Sequence, residues 1–415
     1  MTKTKILFVT FHDIWRAQDG GSIFSKNCYD ALCEFCDVEA FRIDLKGKNT
    51  KKKASVFLPM GKGVKEEIYQ RAKAGNFDAV FFTSSLFGHV IWYLHKRGIR
   101  TICYFQNCEY DYYRAKEKSG LKAGLKAFIA YLAEKSAARY SDYTIGLNQR
   151  DSRRIEHIYH RMLERIIPIS LKTTSTNTRT EYKKSVVINT TFNQEEPYIL
   201  FAGSNFKPNH DGIKWFIENV LPEVPAKLIV VGRDFEKSRE ELEETDKTRK
   251  LGVTGKTEEF GVTDRTKKSG VVDGTKKPGV AERTKKLEVI GSVESTVPYY
   301  QHAACVVSPI FLGSGMKVKT AEALSYGKYI FGTKEAFEGY DLDFDKVGGI
   351  CYNKQDFITK LNRFFSERAE DQQYENTYAR AVFEEKYSFE SEIQALKEVV
   401  EKVIDNEFFD RKGNR

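Results

Sequence analysis

Short, strongly apolar runs alternate with longer amphipathic stretches through the N-terminal part of the chain. The runs are apolar at consecutive positions, as in strands that are buried on both faces, and the stretches between them have helical spacing. The strand-like runs are KILFVTF (5–11), FDAVFFTSS (77–85) and IRTICYFQN (99–107), and the helix-like stretches are SIFSKNCYDALCEF (22–35) and GHVIWYLHKRG (88–98). This alternation predicts a doubly wound parallel α/β sheet.

Loops that follow the strands of such a sheet are candidate site loops, because ligands bind beyond the carboxyl ends of parallel strands. Three segments qualify, those after Phe11, Phe82 and Phe105. The stretch DGGS (19–22) is predicted to be a loop between the first strand and the first helix.

Residues 112–140 show a long helical pattern that has two interpretations. Apolar residues recur at helical spacing beside three lysines: Leu121, Leu125, Phe128, Ile129 and Leu132, with Lys118, Lys122 and Lys126. The more frequent arrangement is an apolar stripe that faces the core, with the lysines in solvent. The alternative is a basic amphipathic helix that rests on a membrane surface.

A second α/β series follows a polar segment that is rich in Thr, Ser and Asn. Its predicted strands are YILFAGS (198–204), AKLIVVG (226–232), LEVIGSV (287–293) and AACVVSPI (303–310), and FESEIQALKEVVEKVIDNEFF (389–409) predicts a long terminal helix. A nine-residue repeat, with Thr in first place and Gly-Val in fifth and sixth, interrupts the series and is predicted to be a surface insertion. The predicted division is an N-terminal domain (1–175), a linker (176–196), a C-terminal domain (197–384) with the insertion at about 244–286, and a terminal helix (385–415).

Composition and charge narrow the class of protein. The 415 residues are 41% hydrophobic and 30% charged, which is typical of globular proteins. No apolar run approaches the roughly 18 residues that cross a bilayer, and the N-terminal run resembles a strand more than a signal peptide, so we expect a cytoplasmic protein. Residues 1–190 carry 33 Lys and Arg against 19 Asp and Glu, a net charge of +14 within a total of +9. This basic half favours an anionic partner, but no nucleic-acid-binding module is recognised.

The segment GSGMKVKTAEAL (313–324) carries the candidate chemistry. Glycines that lead into a helix let backbone N–H groups approach an anion, and Lys317 and Lys319 add positive charge, so the loop suits a diphosphate. Glu322, one helical turn further on, is placed to accept hydrogen bonds from the two hydroxyls of a ribose. Taken alone, the loop is equally compatible with a tight turn bearing surface lysines, and Glu322 taken alone favours a solvated helix acid.

Five segments in order resemble GT-B glycosyltransferases, in particular glycosyltransferase family 4 and its relatives. They are KILFVTFHDIWRAQDGGS, CYFQNCEYDYYR, YILFAGSNFKPNHDGIKWFIENVLP, LEVIGSV and VVSPIFLGSGMKVKTAEALSYGKYIFGTKEAFEGY. The resemblance implies two Rossmann-like domains that face a cleft, with the nucleotide sugar on the C-terminal domain and the acceptor on the N-terminal domain. It also implies a C-terminal helix that crosses back to the first domain.

The resemblance implies roles for individual residues. Lys317 is the first choice for a catalytic cation at the leaving phosphate, followed by Lys207. The implied donor-binding residues are Gly20, Gly21, Gly203, Asn205, Gly291, Val293, Gly313, Ser314, Gly315, Met316, Lys319 and Glu322. The implied acceptor-side residues are His89, Gln106, Asn107 and Glu109.

Two positions depart from the family pattern. Many relatives carry a glutamate at the position of Ser314, separated by seven residues from the one that corresponds to Glu322, and a histidine where this chain has Gln106. Glutamine can hydrogen-bond a hydroxyl group but cannot act as a general base near neutral pH.

The expected function is a retaining, hexosyltransferase-type transfer from a UDP- or GDP-linked sugar to a glycan or lipid-linked acceptor, in surface polysaccharide or glycolipid synthesis. We expect no metal and no cofactor beyond this donor, and a peripheral position on the inner face of the cytoplasmic membrane. Two alternatives stay open: a non-catalytic glycosyltransferase-like binding subunit, and a GT-B nucleotide-sugar epimerase.

Overall fold

The computed structural model describes residues 3–16, 20–44, 63–116, 121–172, 196–250, 286–313, 315–370 and 372–405. Within these residues, two parallel sheets of six strands each form the framework. Nearly all of the repeat (251–285), most of the predicted linker, and Ser314 lie outside the described residues. The prediction of two doubly wound parallel domains is confirmed.

The first sheet has the strand order β2-β1-β3-β4-β5-β6. Its strands are β1 Lys5–Thr10, β2 Asp37–Arg42, β3 Ala79–Phe82, β4 Thr101–Phe105, β5 Tyr143–Gly146 and β6 Arg165–Ile166. Ile6 and Phe8 of β1 pack into one core and Leu7 and Val9 into the other, so both faces are covered. This double burial is why the strands read as uninterrupted apolar runs.

The second sheet has the order β12-β11-β10-β7-β8-β9. Its strands are β7 Tyr198–Ala202, β8 Lys227–Val231, β9 Leu287–Gly291, β10 Cys305–Ser308, β11 Tyr329–Gly332 and β12 Gly348–Ile350. Strands β7 and β10 are neighbours, so the loops that follow them open side by side at the carboxyl edge.

Helices cover both sheets, and in chain order we number them α1 to α13. They are α1 Gly20–Phe35, α2 Gly63–Ala74, α3 Gly88–His95, α4 Glu109–Lys116, α5 Leu121–Tyr140, α6 Gln149–Tyr159, α7 Lys207–Asn219, α8 Arg239–Lys250, α9 Val297–His302, α10 Val318–Ser325, α11 Lys354–Glu367, α12 Thr377–Val382 and α13 Phe389–Ile404. The prediction of a loop at 19–22 is wrong for its described part, because Gly20 and Gly21 form the first turn of α1.

The pattern at 112–140 is two helices that pack on each other rather than one. The interpretation of its apolar stripe as core-facing is wrong for Leu125 and Phe128, while Ile129 and Leu132 are half-buried. Leu125 is 58% exposed and Phe128 is 55% exposed, whereas α5 buries its alanines. A Cβ atom at Gly88 would lie 1.8 Å from the Ala133 carbonyl oxygen, so α3 and α5 touch backbone to backbone. Only small residues fit such a contact, and the large apolar side chains are therefore left on the outer face.

The terminal helix α13 crosses back to the first domain, as expected, and packs against α1. Arg165 Nη1 lies 2.5 Å from Glu398 Oε2, and the Ser170 hydroxyl donates a hydrogen bond to Glu392. Glu392 is buried, and this burial raises its pKa to about 7.

Glu392 should make stability fall as the pH rises. Its folded-state pKa of about 7 lies above its usual 4.5, so its contribution is complete below 4.5 and is lost as the pH rises through about 7. The free energy of unfolding would be measured with denaturant at about pH 4 and pH 8. Between these two pH values, wild type should lose up to about 3 kcal/mol more than Glu392→Gln. Glu398→Gln is the control. Because Arg165 lowers the pKa of Glu398, wild type should gain stability relative to Glu398→Gln as the pH rises. An equal pH dependence of wild type and Glu392→Gln would contradict this.

Candidate functional site

The loop after β10 brings the glycines and lysines of GSGMKVKTAEAL to the carboxyl edge of the second sheet. Gly315 has a left-handed φ of +68°, and α10 begins three residues later at Val318. Lys317 Nζ donates to the Gly315 carbonyl oxygen at 2.7 Å and to Glu335 Oε1 at 2.7 Å. The loop therefore has a glycine backbone, a following helix start and a cation, which together suit a phosphate group.

Glu322 lies on α10, with its carboxylate held from one side. Tyr300 Oη donates to Glu322 Oε2 at 3.1 Å, and the Tyr300 ring stacks on Tyr326 with centroids 5.1 Å apart. Burial raises the pKa of Glu322, while the Tyr300 hydroxyl and Lys319 lower it. Tyr300 therefore holds one oxygen of Glu322, the acid that the sequence predicts to bind a ribose.

Lys319 is a second cation beneath the loop. Its Nζ donates to Asn209 Oδ1 at 2.5 Å and lies 4.6 Å from the Phe201 ring centroid. A Cβ atom at Gly203 would lie 3.0 Å from the same Nζ, so Lys319 reaches the end of β7. Burial lowers the pKa of Lys319 to about 7, with a smaller lowering by Lys317 against a raising by Glu322.

The loops after β7, β8 and β9 are bound to one another rather than open. A Cβ atom at Gly232 would lie 1.7 Å from the Gly203 carbonyl oxygen, so only glycine allows this crossing. Asn205 Nδ2 donates to Asp234 O at 3.0 Å and to Ser238 Oγ at 2.8 Å. The amide of Asn205 is therefore engaged in holding the loop after β7.

Gly291 and Val293 flank Ser292, which contacts Glu236 at the carboxyl end of β9. The Ser292 N–H donates to Glu236 Oε2 at 3.0 Å, and a Cβ atom at Gly291 would lie 2.7 Å from that oxygen.

Lys207 lies in solvent: its side chain is 85% exposed and its Nζ lies 2.9 Å from Asp211. As a catalytic cation, Lys207 is thus a weaker candidate than Lys317.

The acceptor-side residues lie at the carboxyl edge of the first sheet. Gln106 Nε2 donates to the Thr83 carbonyl oxygen at 2.7 Å and ties the end of β4 to the end of β3. Asn107 faces the other domain, because a Cβ atom at Gly315 would lie 3.6 Å from Asn107 Oδ1. The glycine loop and the predicted acceptor loop therefore meet across the cleft.

Glu134 is a residue that sequence reasoning missed. It is fully buried, and each of its oxygens accepts one backbone N–H at 2.9 Å, from Glu109 and from Tyr110. Ser85 Oγ (3.1 Å) and Tyr159 Oη (2.8 Å) complete its hydrogen bonds. Burial raises its pKa to about 7, and the four donors oppose this rise. Its sequence signal was a single acid on the alanine face of α5.

Known proteins resemble this chain in structure rather than in sequence. Neither protein-family models nor curated proteins give a match. Sucrose-phosphate synthase from Thermosynechococcus elongatus is 13% identical, with 97% of this chain and 100% of that chain covered and a TM-score of 0.61. HepE from Anabaena, in complex with UDP and glucose, is 12% identical, with 96% and 100% covered and a TM-score of 0.56. The lipopolysaccharide outer core galactosyltransferase WaaB in its apo form is 12% identical, with 96% and 99% covered and a TM-score of 0.60.

The chain has the GT-B fold. This conclusion rests on likeness over nearly the whole length of both chains, together with the two parallel sheets. A second contact between the two domains supports the arrangement, since Arg150 Nε lies 3.1 Å from Glu338 Oε1. Nearby, a Cβ atom at Gly339 would lie 3.1 Å from the Asn148 Cβ.

His89 is enclosed within the N-terminal domain of this GT-B fold. It lies in the first turn of α3, and its Nε2 is buried with no hydrogen-bond partner in the part of the chain that the structure describes. Burial lowers the pKa of His89, and the positive charge of Lys65 lowers it further. A role for His89 toward an acceptor stays a prediction, as do the roles of the other site residues.

Proposed function

We propose that the protein is a retaining, hexosyltransferase-type enzyme that moves a sugar from a nucleotide-sugar donor to a glycan or lipid-linked acceptor. The observation that carries this proposal is the meeting of the glycine loop with Asn107 across the cleft, with Lys317 and Glu322 beside that loop. HepE, which is similar in fold, is described in complex with UDP and glucose. WaaB, also similar in fold, is described as a lipopolysaccharide galactosyltransferase, which supports a role in surface polysaccharide or glycolipid synthesis.

The chemistry follows from where negative charge grows. As the bond between the anomeric carbon and the phosphate oxygen breaks, charge accumulates on the leaving nucleoside diphosphate. Backbone N–H groups of the loop and the ammonium group of Lys317 stabilise this charge more in the transition state than in the ground state. Glu322 binds the ribose and so fixes the diphosphate in line with the loop.

The acceptor proton needs a destination. Gln106 cannot take it, because an amide is not a base near neutral pH and its nitrogen is bound to the Thr83 carbonyl. We propose that the departing phosphate oxygen takes the proton from the acceptor hydroxyl on the same face of the sugar. The new bond from the acceptor oxygen to the anomeric carbon then forms where the old bond broke, and the anomeric configuration is retained.

The test of this function is a donor panel. Thermal shift and donor hydrolysis would be measured with UDP-, GDP- and ADP-linked hexoses, each beside its free nucleoside diphosphate. We expect stabilisation and slow hydrolysis with one nucleotide class. Binding of no nucleotide sugar would contradict the proposal and favour the non-catalytic alternative, while C2 or C4 inversion of the donor without transfer would favour the epimerase.

The exposed face of α5 supports a lipid-linked acceptor at an anionic membrane surface. Leu125 and Phe128 project from the N-terminal half of α5, beside the exposed Lys126. In this parallel sheet the helices run opposite to the strands, so this half of α5 lies toward the acceptor edge. No helix among the described residues is long and apolar enough to cross a bilayer.

A double variant Leu125→Ser/Phe128→Ser is expected to reduce flotation with phosphatidylglycerol liposomes by about tenfold or more, from the apolar area it removes. Wild-type flotation should increase with phosphatidylglycerol content and weaken with salt. Tyr352→Ser is the control, because Tyr352 is a large, 74% exposed aromatic residue in the other domain. Equal flotation of the double variant and wild type would contradict this surface.

A further inference from the structure

A carboxylate from a neighbouring strand stands against the glycine loop. Strand β11 pairs with β10, with Ser308 opposite Gly332, so the loops after these strands are adjacent. Glu335 lies on the single helical turn that follows β11. A Cβ atom at Gly313 would lie 3.0 Å from Glu335 Oε1, which places this carboxylate directly at the loop.

This carboxylate pairs with the cation that we assign to the leaving phosphate. Lys317 Nζ lies 2.7 Å from Glu335 Oε1, and the two side chains are only 13% and 20% exposed. Lys317 also donates to the Gly315 carbonyl, so its ammonium group is held between the loop and the acid. Glu335 Oε2 accepts no hydrogen bond from a described residue.

A second acid is unfavourable at a site built only for a diphosphate. It neutralises Lys317 and repels the phosphates, and Lys319 offsets little of this because burial lowers the pKa of Lys319 to about 7. A carboxylate suits such a position if it binds something other than phosphate. The hydroxyl groups of the sugar next to the diphosphate are natural partners, since an ionised carboxylate accepts several hydrogen bonds.

We propose that Glu335 is a specificity-determining residue that binds hydroxyl groups of the transferred sugar through its carboxylate, while Lys317 holds that carboxylate in place. This inference rests on the proposed donor site. It assigns each member of the pair to a different part of the donor: Lys317 to the leaving phosphate and Glu335 to the sugar.

The test separates sugar recognition from the neutralisation of Lys317. Calorimetry would compare UDP with UDP-glucose and GDP with GDP-mannose. The measured quantity, in the pair that binds, is the Kd of the nucleotide sugar divided by the Kd of the free nucleotide. Glu335→Gln should shift this ratio about tenfold or more against the nucleotide sugar, because a charged hydrogen-bond acceptor is lost. The free diphosphate should bind as tightly as before or more tightly, since a repelling charge has gone.

A shorter acid and a remote acid complete the design. Glu335→Asp keeps the charge but withdraws the carboxylate, so it should also weaken binding of the nucleotide sugar relative to the free diphosphate, without strengthening diphosphate binding. Glu223→Gln is the control, because it breaks a surface pair with Lys354 at 2.6 Å in the same domain, and it should leave the ratio unchanged. If Glu335→Gln changed the affinities for the nucleotide and for the nucleotide sugar by the same factor, the inference about Glu335 would be overturned and the proposed function would stand. If wild type binds none of the four probes, the proposed function falls together with it.

Discussion

Glu322→Ala is expected to weaken nucleotide binding by at least about 100-fold and to abolish sugar transfer at ordinary donor concentrations. A carboxylate that accepts hydrogen bonds from both ribose hydroxyls makes two charge-assisted bonds, each worth about 1.5–3 kcal/mol. Alanine removes both at once. Calorimetry with the bound nucleoside diphosphate measures the loss directly, and donor-dependent kinetics measure its consequence for transfer.

Tyr300→Phe provides a graded comparison for Glu322. It removes the hydroxyl that donates to Glu322 Oε2 at 3.1 Å but keeps the ring that stacks on Tyr326. We expect a loss of about tenfold or less, because the carboxylate remains and only its orientation is relaxed. If Glu322→Ala had the affinity and kinetics of wild type, the assignment of Glu322 to the donor site would be wrong.

Lys317→Met is expected to lower kcat by about 10²–10³-fold with a smaller change in the affinity for the free nucleotide. The reason is that charge on the leaving phosphate grows during bond cleavage, so a preorganised cation acts mainly in the transition state. Methionine preserves much of the aliphatic volume of lysine but carries no charge. Steady-state kinetics at saturating donor, together with nucleotide calorimetry, separate the two effects.

The control for Lys317 is an equally drastic change on the surface. Lys346→Met removes a cation that pairs with Asp343 at 3.2 Å on an exposed turn, and it should leave kcat unchanged. Lys207→Met should cost much less than Lys317→Met, because the Lys207 side chain is 85% exposed and bound to Asp211. A loss in Lys317→Met that is confined to KM would mean that Lys317 stabilises the bound ground state and the transition state equally, which would contradict its proposed role.

The proposed roles of Lys317 and Glu335 can be separated by measurement, although the two side chains touch. Loss of Lys317 should change the rate of bond cleavage, whereas loss of Glu335 should change the preference for a nucleotide sugar over its nucleotide. Because the two groups form one ion pair, a double variant should not show the sum of the single effects. This coupling would be visible in a double-mutant cycle on kcat/KM.

Much of the framework of this protein can be predicted from its residue pattern. Strands covered on both faces must be apolar at consecutive positions, so three strands of the first sheet and four of the second, β1, β3, β4 and β7 to β10, could be located from local composition. The loop at 313–324 was located as the segment that follows β10. The crossing of the terminal helix followed from the resemblance, and the GT-B fold agrees with it.

The surfaces that these elements expose and the partners that they contact depend on how the chain packs. The backbone contact between Gly88 and Ala133 turned Leu125 and Phe128 outward, although periodicity alone favoured a buried stripe. The contacts of Glu134 and Glu335 could not be predicted from the local sequence, because their partners lie on other elements of the chain. Periodicity reports which residues share a face of an element, but what meets that face depends on packing between distant segments.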